Sequence, residues 1–266
     1  MSHTIKTLFD ALWADYLHQC PSAEDIHQLL GQGATIINDH VAFRTFNLPE
    51  VGLDKLAAHF IALGYEAKGE YEFKQKKLFA RHFEHPTDPS APKVFISELL
   101  LEQCSDAVQQ AAKAMVAQLP AGAAEQPDFL YRGAQWQVSL ETYQQLLQES
   151  EYAAWLAAFG YRANHFTINV NELPGFASLV AVNEALKAAD YPLNQSGGEI
   201  KGSAEVLLEQ SSTLADKVAV TFSNGSLTIP ACFYEFAQRY PMADGQLYSG
   251  FVAASADKIF ESTDAR

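Results

Sequence analysis

The sequence predicts an α+β fold in which two pseudo-symmetric βαβββ modules form one curved mixed sheet around a cleft, with extra helices at the N-terminus and between the modules. Three observations carry this reading. Two segments, Asp39-His40-Val41-Ala42-Phe43-Arg44-Thr45-Phe46 and Asn164-His165-Phe166-Thr167-Ile168-Asn169-Val170, read as strands that each open on a histidine. Each precedes a helix at a matched interval, 25 residues from His40 to Tyr65 and 26 from His165 to Tyr191. Each half then ends on a strand with an embedded acid, Glu98 in Val94-Phe95-Ile96-Ser97-Glu98-Leu99 and Glu235 in Cys232-Phe233-Tyr234-Glu235-Phe236.

Taken in order, residues 1–34 form a helical opening. Ile5, Leu8, Phe9, Leu12, Trp13, Tyr16 and Leu17 recur at helical spacing until Pro21-Ser22 breaks the run, and a short second helix lies around Ile26 to Leu30. The first module, 35–104, begins with the His40 strand. A helix with Leu53, Leu56, Ala57 and Phe60 on one side follows, closed by Gly64, which suits a left-handed helix end. Extended segments cover 66–83 and 94–100. Residues 105–159 form a partly folded linker, helical over 105–118 and 139–159 around a Pro/Ala/Gly connection at 120–127. The second module, 160–240, repeats the first with a helix near 176–189 and extended segments near Val206, at 218–222 and at 229–236. Residues 241–266 form a C-terminal segment. The whole is read as one domain.

With 48% apolar residues the 266-residue chain can bury a large core. Eighteen basic against 32 acidic side chains give a charge of −14, which repels nucleic acid and anionic membranes and requires local cations for any anionic substrate. Cys20, Cys104 and Cys232 are widely spaced, so neither a disulfide framework nor a structural zinc site is expected. The N-terminus lacks a signal-peptide pattern and no stretch of 18 apolar residues occurs, so a cytoplasmic location is expected.

Alternation along a strand puts His40, Ala42 and Arg44 on one face, and likewise His165, Thr167 and Asn169. Polar groups on a buried face must be hydrogen-bonded, paired or bound to a metal. Convergence of His40, His165 and Glu235 would make a metal cleft with open coordination positions, as in non-haem Fe(II) oxygenases, though the residue types also suit zinc or manganese. Set against this, a single histidine opening a strand is more often a hydrogen-bonded core residue than a ligand. Glu98 is read as a partner that hydrogen-bonds a ligand histidine, as a fourth ligand of a Lewis-acid site, or as a general base. His3, His18, His27, His59, His82 and His85 are read as surface residues. The loop Gln195-Ser196-Gly197-Gly198-Glu199-Ile200-Lys201-Gly202-Ser203 is equally a lid over the cleft or a plain hairpin.

These motifs, together with Leu208-Glu209-Gln210-Ser211-Ser212 and Phe233-Tyr234-Glu235-Phe236-Ala237, resemble the 2-oxoadipate dioxygenase/decarboxylase family, also called hydroxyglutarate synthase. The resemblance spans most of residues 35–240. It implies a vicinal-oxygen-chelate-like fold, Fe(II) held by His40, His165 and Glu235, and a substrate carboxylate held by Arg44. It also implies conversion of 2-oxoadipate and dioxygen into 2-hydroxyglutarate and carbon dioxide in lysine breakdown. Characterised relatives are longer, so substrate contacts from their C-terminal portion are expected to be missing. The residues by themselves leave two other functions open: a metal-dependent hydrolase, lyase or isomerase with Glu98 as base, and a non-catalytic small-molecule binding protein.

Overall fold

The computed structural model describes residues 4–263, so His3 lies outside the described residues. Thr4 and Thr7 cap each other reciprocally and start α1 (Ile5–Gln19), whose buried Leu8, Leu12 and Tyr16 recur every four residues. Helix α2 (Ser22–Gly31) follows directly. The first module is β1 (Asn38–Phe46), α3 (Leu53–Ile61), β2 (Glu66–Phe73), β3 (Leu78–Glu84) and β4 (Lys93–Leu99).

The connection contains α4 (Asp106–Val116), α5 (Leu140–Glu149) and α6 (Glu151–Phe159). The helix expected over 139–159 is in fact two, because the Ser150 side chain caps α6 while its N–H ends α5 on Leu146. The second module is β5 (Ala163–Asn169), α7 (Leu179–Ala188), β6 (Lys201–Ser203), β7 (Leu208–Ser212), β8 (Lys217–Phe222), β9 (Gly225–Pro230) and β10 (Phe233–Arg239). Val206 lies in a 3₁₀ turn between β6 and β7, not in a strand. The extended segment expected over 229–236 also divides: Pro230 ends β9, and β8–β9 form a separate hairpin inserted before β10. Helix α8 (Ala253–Ile259) and a 3₁₀ turn over Phe260–Thr263 are the last described elements.

The eight strands outside that hairpin make one sheet in the order β2-β3-β4-β1-β5-β10-β7-β6. Each module contributes four neighbours, and the two first strands, β1 and β5, meet antiparallel at the centre. Each is flanked by the last strand of its own module in parallel, β4 beside β1 and β10 beside β5. The predicted two-module curved sheet is therefore the observed architecture.

The two faces of the sheet are chemically distinct. Val41, Phe43, Phe166, Tyr234 and Phe236 point outward into the apolar core beneath the helices; Phe43 meets Phe60 of α3 at 5.5 Å between ring centroids, and Phe166 meets Trp13 of α1 at 5.1 Å. Burying several such aromatic side chains at about 25 cal/mol per Å² fixes which face is which, since a one-residue slip would expose them all. The opposite face carries His40, Arg44, His165, Thr167, Glu235 and Arg239, all buried.

Candidate metal centre

Pairing across the ladders brings the three predicted ligands together. Thr167 is opposite both His40 and Glu235, while His165 is opposite Ala42 and Phe233, so the three side chains occupy adjacent rows of one face. One ligating atom from each of His40, His165 and Glu235 lies within 4.8 Å of the others, and all three residues are buried. Nε2 of His40 is 3.6 Å from Oε1 of Glu235, and Nε2 of His165 is 3.0 Å from Oε2.

The residue immediately before each histidine sets its orientation. Nδ1 of His40 donates to Oδ1 of Asp39 at 2.8 Å, and Nδ1 of His165 donates to Oδ1 of Asn164 at 3.0 Å. Neighbours in a regular strand face opposite ways, yet here register shifts in the β1–β5 ladder between Asn38 and His40, and between Ala42 and Phe43, coincide with the two sites. With Nδ1 protonated, each neutral imidazole keeps an Nε2 lone pair; that of His165 faces Glu235, while Nε2 of His40 lies 3.0 Å from the Thr167 hydroxyl and 3.6 Å from Glu235. Oε2 of Glu235 receives no hydrogen bond despite its short approach to His165. Lone pairs facing one another in a buried pocket repel unless a proton or a cation lies between them, so these residues fit a divalent ion. Gln210 donates to the other oxygen, Oε1, at 2.6 Å.

The electrostatics follow from the two unlike partners. Burial lowers the pKa of His40, but the charges of Glu235 and Asp39 outweigh it and hold the pKa above its ordinary value. His165 has the neutral Asn164 instead, so burial prevails over Glu235 and its pKa is lowered. Burial raises the pKa of Glu235, but the two imidazoles overcome this and bring it down to about 2. The carboxylate is thus ionised at any working pH.

Arg44 lies on the cleft face as expected, yet it is already paired. Its Nη1 reaches both carboxylate oxygens of Glu151 at 3.0 and 3.1 Å, Nη2 donates to Thr263, and the guanidinium stacks over Tyr152, Trp155 and Phe260. Its buried Nε has no hydrogen-bond partner. Glu98 is not brought to the cluster, and the reading of it as general base, histidine partner or fourth ligand is corrected. It sits opposite Thr45, on the outward face, and its Oε2 caps α3 by accepting from the Leu53 N–H at 2.8 Å. The reason is parity: Phe95, not Glu98, occupies the position of β4 that matches Glu235 of β10.

Two expectations about the cleft walls also change. His82 is buried, not a surface residue: it lies opposite Phe95, contacts the Tyr71 hydroxyl at 2.8 Å and Glu84 at 2.8 Å, and packs against Phe251. The 195–203 loop is not itself the cover. It seats the element that is, through Ser196 bonded to Glu261 and Gly197 lying under Lys258. Gly202 has φ +83°, and a β-carbon there would fall 2.1 Å from the Leu208 carbonyl. The cover is the C-terminal segment, whose Phe251, Ala256, Ile259 and Phe260 line the cavity beside His40, His165 and Glu235. This chain's own C-terminal segment thus supplies a wall of the cleft and leaves about 20 Å³, room for one water.

Arg239 is the residue least legible beforehand. It grips Asp39 through Nε and Nη2 at 2.6 and 2.8 Å, and its Nη1 donates to the Tyr248 and Gly250 carbonyls. One guanidinium therefore ties the anchor of His40 to the start of the covering segment.

Comparison with known proteins gives a consistent picture. The sequence profile of the 2-oxoadipate dioxygenase/decarboxylase family matches residues 3–246. The chloroplastic 2-oxoadipate dioxygenase/decarboxylase of Arabidopsis thaliana is 34% identical over 93% of this chain and 74% of its own length. A crystal structure from Shewanella frigidimarina, provisionally labelled a hydrolase, is 59% identical with a TM-score of 0.92, covering 96% of this chain and all of that one. The crystal structure of hydroxyglutarate synthase in complex with 2-oxoadipate from Oryza sativa is 32% identical with a TM-score of 0.88, covering 97% of this chain and 91% of that one.

Proposed function

The chain belongs to the 2-oxoadipate dioxygenase/decarboxylase family, and from that premise we propose that it is an Fe(II)-dependent dioxygenase that decarboxylates a 2-oxo dicarboxylic acid of the 2-oxoadipate type. The observation that carries the reading is the buried His40–His165–Glu235 cluster, with both Nδ1 atoms occupied and both Nε2 atoms within 3.6 Å of the carboxylate. Two neutral nitrogens and one anion leave the remaining positions of a divalent ion free for the carboxylate and oxo oxygens of a 2-oxo acid and for dioxygen. Bound iron would supply the electrons that make dioxygen reactive. For 2-oxoadipate the balance is one dioxygen consumed, one carbon dioxide released and 2-hydroxyglutarate formed.

The chain's own residues prepare this. Asp39 and Asn164 fix the imidazole tautomers and Gln210 fixes the Glu235 carboxylate. Arg44 supplies a guanidinium for a substrate carboxylate, its free Nε and the exchangeable Thr263 contact providing the donors. A cavity of about 20 Å³ cannot hold a six-carbon acid, so substrate entry requires Phe251, Ile259 and Phe260 to withdraw; their return excludes water. Location in the cytoplasm and service in lysine breakdown belong to the same proposal. Among the described residues no helix is long and apolar enough to cross a membrane.

The hydrolase label on the Shewanella relative names the competing chemistry. That reading needed Glu98 as base, and Glu98 faces away from the cluster. The deciding experiment is anaerobic reconstitution with Fe(II), then measurement of oxygen uptake with 2-oxoadipate. Stoichiometric oxygen, carbon dioxide and 2-hydroxyglutarate support the proposal. Turnover with zinc in the absence of oxygen would replace it with the hydrolase or lyase reading, and binding without turnover would leave a binding protein.

A further inference from the structure

Phe251 is where the covering segment first meets the cavity. Its ring meets His40 edge to face at 4.8 Å between centroids, lies 5.0 Å from Phe95 and 5.3 Å from His82, and carries the Arg239 guanidinium 5.3 Å above it. A phenyl ring has no polar atom with which to fix that place, so the hold comes through the main chain. The Phe251 N–H donates to the Tyr71 hydroxyl oxygen at 3.1 Å, that hydroxyl lies 2.8 Å from Nδ1 of His82, and Nε2 of His82 lies 2.8 Å from Oε1 of Glu84.

One set of directions satisfies every partner in this row. The Tyr71 oxygen accepts from the main chain and gives its single proton to Nδ1, and the neutral imidazole gives its Nε2 proton to the carboxylate. Burial raises the Glu84 pKa, but the hydrogen bonds from His82 and Ser249 and the charge of Lys93 outweigh it and hold it below its ordinary value. The row therefore ends on an anion at neutral pH. His82 is 3% exposed, and an imidazole is tolerated there because both its nitrogens are bonded.

The β2–β3 hairpin is shaped around this row. Its ladder shifts register between Ala67 and Gly69, and Gly69 stands opposite His82. A β-carbon at 69 would lie 2.7 Å from the Tyr71 hydroxyl and 2.9 Å from Nδ1 of His82, so a larger residue would push the pair apart. Tyr71 and Glu84 are only half-buried, so water can replace the broken bond when Phe251 lifts. The net strength of one such bond is then small enough to make and break within each turnover.

We infer that the Tyr71–His82–Glu84 row is the catch of the cleft, holding Phe251 over His40 and setting how often the cleft opens. This rests on the proposed entry of substrate by withdrawal of Phe251. Tyr71 and His82 are positioning residues that act through Phe251.

The test uses Tyr71→Phe, which keeps the ring and deletes the hydroxyl, and Glu84→Gln, which keeps the shape and deletes the charge. Amide hydrogen exchange of the metal-free, full-length protein is followed by mass spectrometry. Loss of one hydrogen bond corresponds to roughly three- to tenfold faster exchange over residues 248–260 in Tyr71→Phe, with α1 and the central strands unchanged. Glu84→Gln should give a smaller change in the same peptides. In stopped-flow tryptophan fluorescence on Fe(II)-loaded protein without oxygen, association and dissociation rates of 2-oxoadipate should rise by that same factor, leaving Kd within about twofold. A catch speeds both directions, whereas loss of a substrate contact would raise dissociation alone. Exchange equal to wild type over 248–260, or faster exchange spread over the whole chain, overturns the assignment. Wild type that binds no 2-oxoadipate removes the substrate reading, and the exchange result still decides the catch. If Tyr71→Phe fails to fold, Gly69→Ala is read in its place, and unchanged exchange over 248–260 is then the refuting result.

Discussion

Substituting Asp39 with Asn tests whether the His40 side of the centre is held by a charged clamp or merely packed. Asp39 is 4% exposed and is gripped by Arg239 at 2.6 and 2.8 Å while accepting from His40 at 2.8 Å. The amide is isosteric, so the change removes one charge with little change in volume and leaves Arg239 buried without its counter-ion. Breaking one side of a buried ion pair costs about 3–5 kcal/mol, which for a chain of this size lowers Tm by roughly 10 °C. Burial raises the Asp39 pKa, but Arg239 and His40 more than reverse this and hold it well below 3.8. A carboxylate with a depressed folded pKa contributes stability that is complete above its unfolded value and is lost as pH falls through the folded one. The part of the gap that Asp39 ionisation supplies should therefore be complete down to about pH 4 and be lost only in stronger acid, while the lost support of Asp39 for protonated His40 widens the gap as pH falls through the histidine range. Because an amide can also turn its NH₂ to His40 and reverse the tautomer, divalent-metal affinity should fall about 10- to 100-fold. Urea unfolding across pH and anaerobic calorimetry with Fe(II) read the two effects. A stability change below about 1 kcal/mol together with unaltered metal binding would refute the clamp.

Three further outcomes are expected. Glu235→Gln keeps the shape but removes the only anion among the three candidate ligands, so metal content after reconstitution, measured by elemental analysis, should fall to background while the protein stays folded. Glu98→Gln should leave oxygen uptake unchanged and alter stability by no more than about 1 kcal/mol, the worth of a helix cap; abolished activity would restore the general-base reading. Lys201→Met should stabilise the protein near neutral pH by up to about 3 kcal/mol, since a lysine lowered from 10.5 to about 8 burdens the fold fully below pH 8 and progressively less up to pH 10.5. Thermal melts at pH 7 and 10 check this, and a Lys201→Met protein that is less stable at pH 7 contradicts it.

Much of this protein could be read from its sequence because burial writes itself into strands with period two and into helices with period 3.6. His40, Ala42 and Arg44 fall on one face and Val41, Phe43 and Thr45 on the other whatever surrounds them. Matched order in the two halves was enough to place β1 beside β5 and to bring His40, His165 and Glu235 to one cleft. Even the supports were in view, an oxygen-bearing side chain directly before each histidine, although only the register shifts in the β1–β5 ladder let neighbours on a strand touch.

What tertiary structure alone decided are relations between residues far apart in the chain. Register set the parity of β4 against β1 and sent Glu98 to cap α3, a one-residue difference that no motif records. Arg239 meets Asp39 across 200 positions. The covering of the cleft by Phe251 and Phe260, and the burial of Lys201 without a counter-ion, likewise come from how the C-terminal segment packs on the sheet. Local periodicity fixes which way a side chain points; what it meets there is set by the folded surroundings.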